Sequence, residues 1–335
     1  MINKIYIKIK QFIHNEWKFL IILLLLVGLT IYPVDCYIIT GGGIISATDR
    51  VNVEGKKEKK GSFNLAYVSE LKGTLYTYLL SYIIPSFERE STDNYKYDKT
   101  ENTKDIDFRN NLLLNEANNN AIYVAYTKAR KTIKVKSKKL FVYYVDKEAD
   151  TDLEVGDEII EVNGVKINDY DELRELINTL DEKEAISIKI KKNNNYRTKT
   201  ATIFTRDNQK YIGINLITDT EYKLSPKIDI TFKKSEGGPS GGLMMSLEIY
   251  SQLIKKDLTK GRKIVGTGTI NKDGTCGEID GVKYKLKGAV KNSADIFIVP
   301  TGKNYEEAVK EKKKHNYKIK IIEAKTFSQV VKELS

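Results

Sequence analysis

From Phe19 to Val34 the chain reads FLIILLLLVGLTIYPV without a charge, so this run has no face that suits water. It is slightly short of the roughly 20 residues that cross a bilayer as a helix. Trp17 suits the interface, Lys18 can snorkel, and apolar residues resume at Tyr37, Ile38 and Ile39. Leu and Ile occupy every face for two turns, unlike an amphipathic core helix, and a transmembrane segment over residues 19–37 is expected. Lys4, Lys8, Lys10 and Lys18 precede the run and Asp35 follows it. The positive-inside bias then makes residues 1–18 a cytoplasmic segment and sets the remainder outside the cell membrane. No Ala-x-Ala site follows closely, which favours an uncleaved, single-pass signal anchor. Val34 and Asp35 before Cys36 are not the small neutral residues of a lipoprotein signal.

The 335 residues allow two or three further domains. Lys plus Arg exceed Asp plus Glu by 11, but the lysines are spread along the chain among acids. That is a solvated surface rather than a nucleic-acid footprint, and no nucleic-acid partner is expected. Cys36, Cys276, His14 and His315 are too few and too scattered for a zinc cluster or a disulfide framework. Neither a metal nor a cofactor is expected.

Between Ile38 and Ser86, Gly, Tyr and β-branched residues predict short strands joined by turns. One turn is expected at Gly41-Gly42-Gly43, and a charged break, EGKKEKKG, runs from Glu54 to Gly61. Glu88 to Asp107 is polar and aperiodic, a loop. Asp107 to Lys131 reads as a helix, with Leu112, Ala117, Ala121, Val124 and Ala125 on its apolar side. Residues 38–137 are therefore a β-rich region with a helix and carry no visible chemistry. From Leu140, LFVYYV is strand-like, Gly156-Asp157 turns into a strand at Glu158 to Val162, and Asn163-Gly164 makes a hairpin with Val165 to Ile167. A helix follows, capped by Asp169 or Asp171, with Leu173, Leu176, Ile177 and Leu180 on one face. AISIKIKK then alternates as a half-buried strand.

This order and the wording GDEIIEVNG resemble a PDZ domain of the circularly permuted bacterial kind, over residues 138–205. The resemblance implies an open sheet edge beside the helix that accepts an extended peptide as an added strand. It also implies a Gly-rich, aromatic loop capping the peptide carboxylate, whereas the candidate stretch, Leu140 to Val145, holds no Gly. Substrate recruitment and a packing-only domain are both compatible with these residues.

The stretch SEGGPSGGLMMSLEIYSQL from Ser235 surrounds Ser240 with glycines. Leu243, Leu247, Tyr250 and Ile254 then recur at helical spacing, so a helix starts beside the serine. Glycines let a substrate approach the backbone, and amides at a helix N-terminus can stabilise an oxyanion. The Lys-Ser/Thr of a phosphate-binding loop is missing after these glycines, and no GxxxxGK[ST] occurs anywhere, so no ATP use is expected. By itself the loop is compatible with a serine nucleophile and with a structural turn.

Downstream, RKIVGTGTINKDGTCGEIDGVKYKLKGAVKNSADIFIVP reads as a strand, a hairpin at Asn271 to Gly274, a helix bearing Lys285, and a buried strand at Ile296 to Val299. With the serine loop, this resembles the proteolytic domain of Lon proteases over residues 206–335. The resemblance implies Ser240 as nucleophile in the GPSAG-like loop, Lys285 as general base, and Thr267 of TGTI helping to hold the lysine. It also implies an oxyanion hole of backbone amides around Gly238, Pro239 and Gly241. Three departures are Gly241 and Gly242 for the family's Ala and Gly, Thr269 for the Glu of TGEI, and Gly237 at the acidic position, with Glu236 displaced by one.

The dyad is coherent without a histidine. A neutral amine can activate the hydroxyl, yet only about one unperturbed lysine in 2500 is neutral at pH 7. Burial among Val282, Leu286 and Ala289 favours the neutral amine. Lys283 is the alternative should the register differ.

Anchor, PDZ-like module and Lon-type domain, in that order, resemble the membrane-anchored, PDZ-containing Lon-like proteases of Gram-positive bacteria. The expected fold class is α+β multidomain: a transmembrane helix, a β-rich region with a helix, a permuted PDZ-like domain and a Lon-type proteolytic α+β domain. The expected function is an ATP-independent, membrane-anchored serine endopeptidase that cleaves peptides or proteins outside the membrane, with oligomerisation left open. The alternative is an inactive, membrane-tethered PDZ scaffold.

Overall fold

The computed structural model describes residues 2–57, 60–97, 101–233 and 235–335, the side chains at 2–4 and 9 excepted. Glu58 and Lys59 of EGKKEKKG, and residues 98–100 of the polar segment, lie outside the described residues. The helices in chain order are α1 (Ile2–Ile31), α2 (Ala47–Arg50), α3 (Leu75–Ile83), α4 (Thr103–Lys128), α5 (Tyr170–Thr179), α6 (Gly242–Leu253), α7 (Val282–Lys291), α8 (Lys303–Lys314) and α9 (Phe327–Leu334). The chain divides into two units, residues 1–41 with 69–95, and residues 42–68 with 96–335.

In the first unit α1 ends before residue 37. Pro33 has no N–H to donate and pushes Tyr32 toward extended backbone. The chain then enters the strand Pro33–Ser46, in which Cys36, Tyr37, Ile38 and Ile39 are buried. These four pair antiparallel with the strand Glu88–Ser91, the start of the segment read above as a loop. Helix α3 stands where strands and turns were expected. Its Tyr and Ile content favours strands, but Thr74 caps it: the Thr77 N–H donates to the Thr74 hydroxyl at 3.3 Å, and the Thr74 N–H to the Thr77 hydroxyl at 2.8 Å.

The second unit contains a parallel sheet in the order Lys320–Ala324, Ile296–Pro300, Lys263–Gly266, and residues 62–68 of the strand Ser62–Thr74. Side chains alternate across it. Phe63, Leu65, Ile264, Ile298 and Ile322 share a core with α6 and α4, whereas Ala66, Val265, Phe297 and Val299 share one with α7 and α8. Ser62 pairs with Lys263, so a strand from far upstream completes the sheet. Gly42 lies in a strand, not a turn, because α7 crosses it at backbone distance. A Cβ there would run into the Tyr284 carbonyl oxygen, and one on Gly288 would lie 2.7 Å from the Gly42 carbonyl carbon.

A second sheet runs Ile214–Ser225, Thr132–Val145, Glu158–Val162, Ala185–Lys192 and Asn195–Thr202, all neighbours antiparallel. Leu140, Val142, Ile159, Ile186, Ile188 and Ile190 form its core with Leu173 and Ile177 of α5, which Asp169 caps through the Glu172 N–H at 3.2 Å. Its first two strands continue as a ribbon to Ser225 and Thr132. Leu216 and Val142 at one end belong to this core; Leu224 and Ile133 at the other pack into the core of α4 and α6. Alongside the ribbon, the Asn119 side chain of α4 donates to the Asp219 carboxylate at 2.8 Å, and the Tyr126 hydroxyl to the Pro226 carbonyl at 2.6 Å.

Candidate active site

Ser240 is half-buried in the turn that leads into α6, a helix buried from Gly242 to Ile249. Its carbonyl oxygen accepts the Gly268 N–H at 2.7 Å and the Thr267 hydroxyl at 3.1 Å, and the Leu243 N–H donates to the Gly268 carbonyl at 3.0 Å. Thr267 is fully buried, and its N–H donates to Ile298 of the neighbouring strand at 2.9 Å. The serine turn is thus stitched to the carboxyl end of the strand Lys263–Gly266. The observed hold of Thr267 is on the serine side.

Three contacts that sequence reasoning missed fix the other side of the turn. The Gly238 N–H donates to the Asn110 carbonyl of α4 at 3.0 Å, and Gly242 packs against Ala117 one helical stretch further on. Glu236 pairs with Arg50 at the end of α2 and accepts the Lys233 N–H at 2.8 Å. Beside Ala117, burial raises the Glu116 carboxyl above the usual range, opposed by the charge of Lys272. The displaced acid at Glu236 was a visible signal; its basic partner, far upstream, was not.

Donor accounting narrows the candidate oxyanion hole. Pro239 has no N–H, Gly238 donates to Asn110, and the Gly242 N–H donates to Pro239 at 3.2 Å. Among the described residues, the amides of Ser240 and Gly241 carry no acceptor, and they flank the nucleophile candidate where α6 begins.

Lys285 sits one turn into α7 and is 5% exposed, whereas Lys283 and Lys287 are exposed. Its neighbours Val282, Leu286 and Ala289 pack against Val265, Phe297 and Ala66. Gly281 caps α7 in the left-handed region at φ 73°, and a Cβ there would lie 2.7 Å from the Val68 side chain. Asn304 of α8 clamps the approach, accepting the Ile279 N–H at 2.9 Å and donating to its carbonyl at 2.8 Å. Gly241, which opens α6, lies against Leu65 of the same strand. Both helices therefore start at the carboxyl end of the parallel strands, one on each face, the usual position of sites in such sheets. The Ser240 hydroxyl makes no hydrogen bond among the described residues.

In the smaller sheet, Leu140 to Val145 pairs with Ile214–Ser225 on one side, and on the other Leu140 and Phe141 pair with Glu158–Val162. Of the two edge strands, Asn195–Thr202 and Ile214–Ser225, the latter has α5 beside it and beside the preceding strand, Gln209–Tyr211. The Arg174 guanidinium of α5 donates to the Gln209 side chain at 2.8 Å. The edge is entered through Tyr211-Ile212-Gly213-Ile214, with Gly213 at φ 71°. This entry joins a Gly to an aromatic residue, whereas Leu140 to Val145 holds no Gly.

Residues 128–203 match the PDZ domain, and residues 226–335 match the Lon protease (S16) C-terminal proteolytic domain. Among solved structures, the PDZ domain of an SdrC-like protein from Listeria monocytogenes is 21% identical, covering 25% of this chain and 93% of its own, with a TM-score of 0.23. The second domain of a Listeria protein is 23% identical, covering 25% of this chain and 88% of its own, with a TM-score of 0.22. No curated protein matches the chain.

Proposed function

We propose that this PDZ-containing, Lon-like chain is an ATP-independent serine endopeptidase, anchored in the cell membrane by α1 and cleaving peptides or proteins outside it with a Ser240–Lys285 dyad. The observation that carries the reading is the burial of Lys285 beside two exposed lysines, on the helix that starts at the same strand end as the serine turn. In this mechanism Lys285 takes the Ser240 proton as the hydroxyl oxygen attacks the scissile carbonyl. The amides of Ser240 and Gly241 receive the oxyanion. Lys285 then protonates the leaving amine, and water hydrolyses the acyl-enzyme by the same steps in reverse. Substrate brings hydroxyl and amine into contact, as catalytic hydrogen bonds often tighten only in the complex. Thr267, through the Ser240 carbonyl, fixes the serine side of the pair.

Helix α1 is long and apolar enough to cross a membrane over Ile5–Ile31. The lysines before Phe19 and Asp35 after Val34 support an outward-facing protease. The strand Ile214–Ser225 is the edge on which an extended peptide would add beside α5, with Tyr211 to Ile214 at its carboxylate end. Covalent labelling with a fluorophosphonate probe, read by mass spectrometry of the full-length chain, tests the dyad. An adduct is expected on Ser240 and is lost in folded Lys285→Ala but kept in Lys283→Ala. Metal-dependent peptide cleavage by a folded Ser240→Ala variant would overturn the mechanism.

A further inference from the structure

Helix α3 is made of LYTYLLSYI, carries no charge, and has none of its nine residues buried. Tyr76, Leu79, Tyr82 and Ile83 are 44%, 48%, 63% and 75% exposed and lie on one stripe. Of the other residues, Thr77 and Ser81 are polar, and Leu75 and Leu80 are half-buried. The Arg89 guanidinium lies 3.9 Å over the Tyr82 ring and 5.6 Å from the Tyr78 ring, and the Tyr78 and Tyr82 hydroxyls are 3.1 Å apart. Arg89 also donates to the Ser81 hydroxyl at 3.4 Å.

This stripe is continuous with the anchor. The Leu75 N–H donates to the Tyr32 carbonyl at 3.0 Å, so α3 starts where α1 ends, and Ile31 and Tyr32 are themselves 71% and 65% exposed. The charge-free helical stretch from Phe19 to Ile31 rises about 20 Å at 1.5 Å per residue. A bilayer core is about 30 Å thick. If Lys18, the last charge before the run, stays at the near interface, the end of α1 falls short of the far one, and the neighbouring helix α3, apolar and without charge, is at hand to fill the shortfall. Tyr32, Tyr76 and Tyr82 supply the aromatic side chains that favour the interface.

We infer that α3 is an interfacial helix, lying in the leaflet that α1 leaves by, with Tyr76, Leu79 and Ile83 in the acyl boundary and Arg89 toward the headgroups. This rests on the reading of α1 as a membrane anchor and extends it: the chain is held by a span and by a second, in-plane contact. The chain has one tryptophan, Trp17, which Trp17→Phe removes so that each introduced tryptophan reports alone. Full-length chains carrying Leu79→Trp, Ile83→Trp or, as the anchor control, Leu25→Trp are placed in vesicles of phosphatidylglycerol and phosphatidylcholine, the latter plain or brominated near the headgroup.

Emission at positions 79 and 83 is expected to fall about twofold in brominated lipid, as for a helix seated roughly 5–10 Å into the boundary. Quenching at position 25 without quenching at 79 and 83 overturns the inference and leaves the anchor standing. No quenching at any position, position 25 included, refutes the anchor and the inference with it. Positions 79 and 83 shielded from aqueous acrylamide yet unquenched by bromine, with shielding lost on dilution, would mean that a second copy covers α3, and the inference fails.

Discussion

The two sheets of the second unit are built in opposite ways. In the smaller, neighbours are antiparallel, several joined by tight turns, and its core closes on itself around Ile186, Ile188 and Ile190. In the larger, parallel strands come from residues 62–68, 263–266, 296–300 and 320–324, and the candidate catalytic side chains stand where helices begin at their carboxyl ends, Ser240 in the turn before α6 and Lys285 in the first turn of α7. Parallel neighbours need crossovers, and one crossover here contains α4 and the whole smaller domain. Damage within the PDZ sheet should therefore stay local, while damage to the far-fetched parts of the larger sheet should reach the site.

The largest contrast concerns the dyad. Ser240→Ala or Lys285→Ala should each lower turnover of a short unstructured peptide about 10³-fold or more, and the double variant should be no worse, as for groups that act as one unit. Lys283→Ala, on the same helix but exposed, should turn over near the parent rate; steady-state kinetics of the four variants decide the register.

Next comes a lesion confined to the smaller sheet. Asp157 is fully buried and paired with Lys199 at 3.0 Å and Lys192 at 3.4 Å. Asp157→Ala removes the nearer partner of the nearly buried Lys199, which keeps Glu154 at 3.6 Å, while Lys192 keeps Glu154 at 2.7 Å; it should cost that domain about 3 kcal/mol in denaturant melts. Turnover of the short peptide should be nearly unchanged, while a folded substrate that needs recruitment is cleaved more slowly. Equal loss on both substrates would erase the contrast between the sheets.

The converse lesion is Gly42→Ala, whose methyl group meets the Tyr284 carbonyl and pushes on the helix of Lys285. It should cost about 1–3 kcal/mol and reduce short-peptide turnover, leaving amide exchange in Ala185–Lys192 as in the parent. The smallest effect is a chemical probe of the core on the other face of that sheet. Burial pushes the Cys276 thiol up to about 12, so its thiolate is scarce at neutral pH and grows as pH rises. Alkylation at pH 8 should be slow in the parent, in Asp157→Ala and in Gly42→Ala, and faster in Leu247→Ala, which opens the core of α4 and α6 on which Cys276 packs.

The same difference decides what could be read from the residues alone. Asn163-Gly164, the α5 stripe and AISIKIKK are local patterns, and the hairpin, helix and strand stand where those patterns predicted. The helix starting beside Ser240 was local too. Pairing of Ser62 with Lys263, and of Arg50 with Glu236, joins segments whose own sequences say nothing about each other. Helix α3 failed for another reason: its residues prefer strands in water-soluble sheets, and only the Thr74 cap marked the start. The peptide-capping loop was sought at Leu140 because a strand was visible there. Which strands form the edges depends on topology, and only the order of the sheet puts Ile214–Ser225, just after Gly213, at one of them.

The ribbon of Thr132–Val145 and Ile214–Ser225 has each end sunk in a different core. A slack coil would spread a captured chain over a cloud of positions and dilute it at the nucleophile roughly as the −3/2 power of linker length. A paired ribbon does not dilute. In the proposed enzyme it acts as a ruler: the substrate end held at Gly213 is offered to Ser240 at one offset. Cleavage should then be selected by distance along the substrate from that end as well as by the side chains flanking the cut.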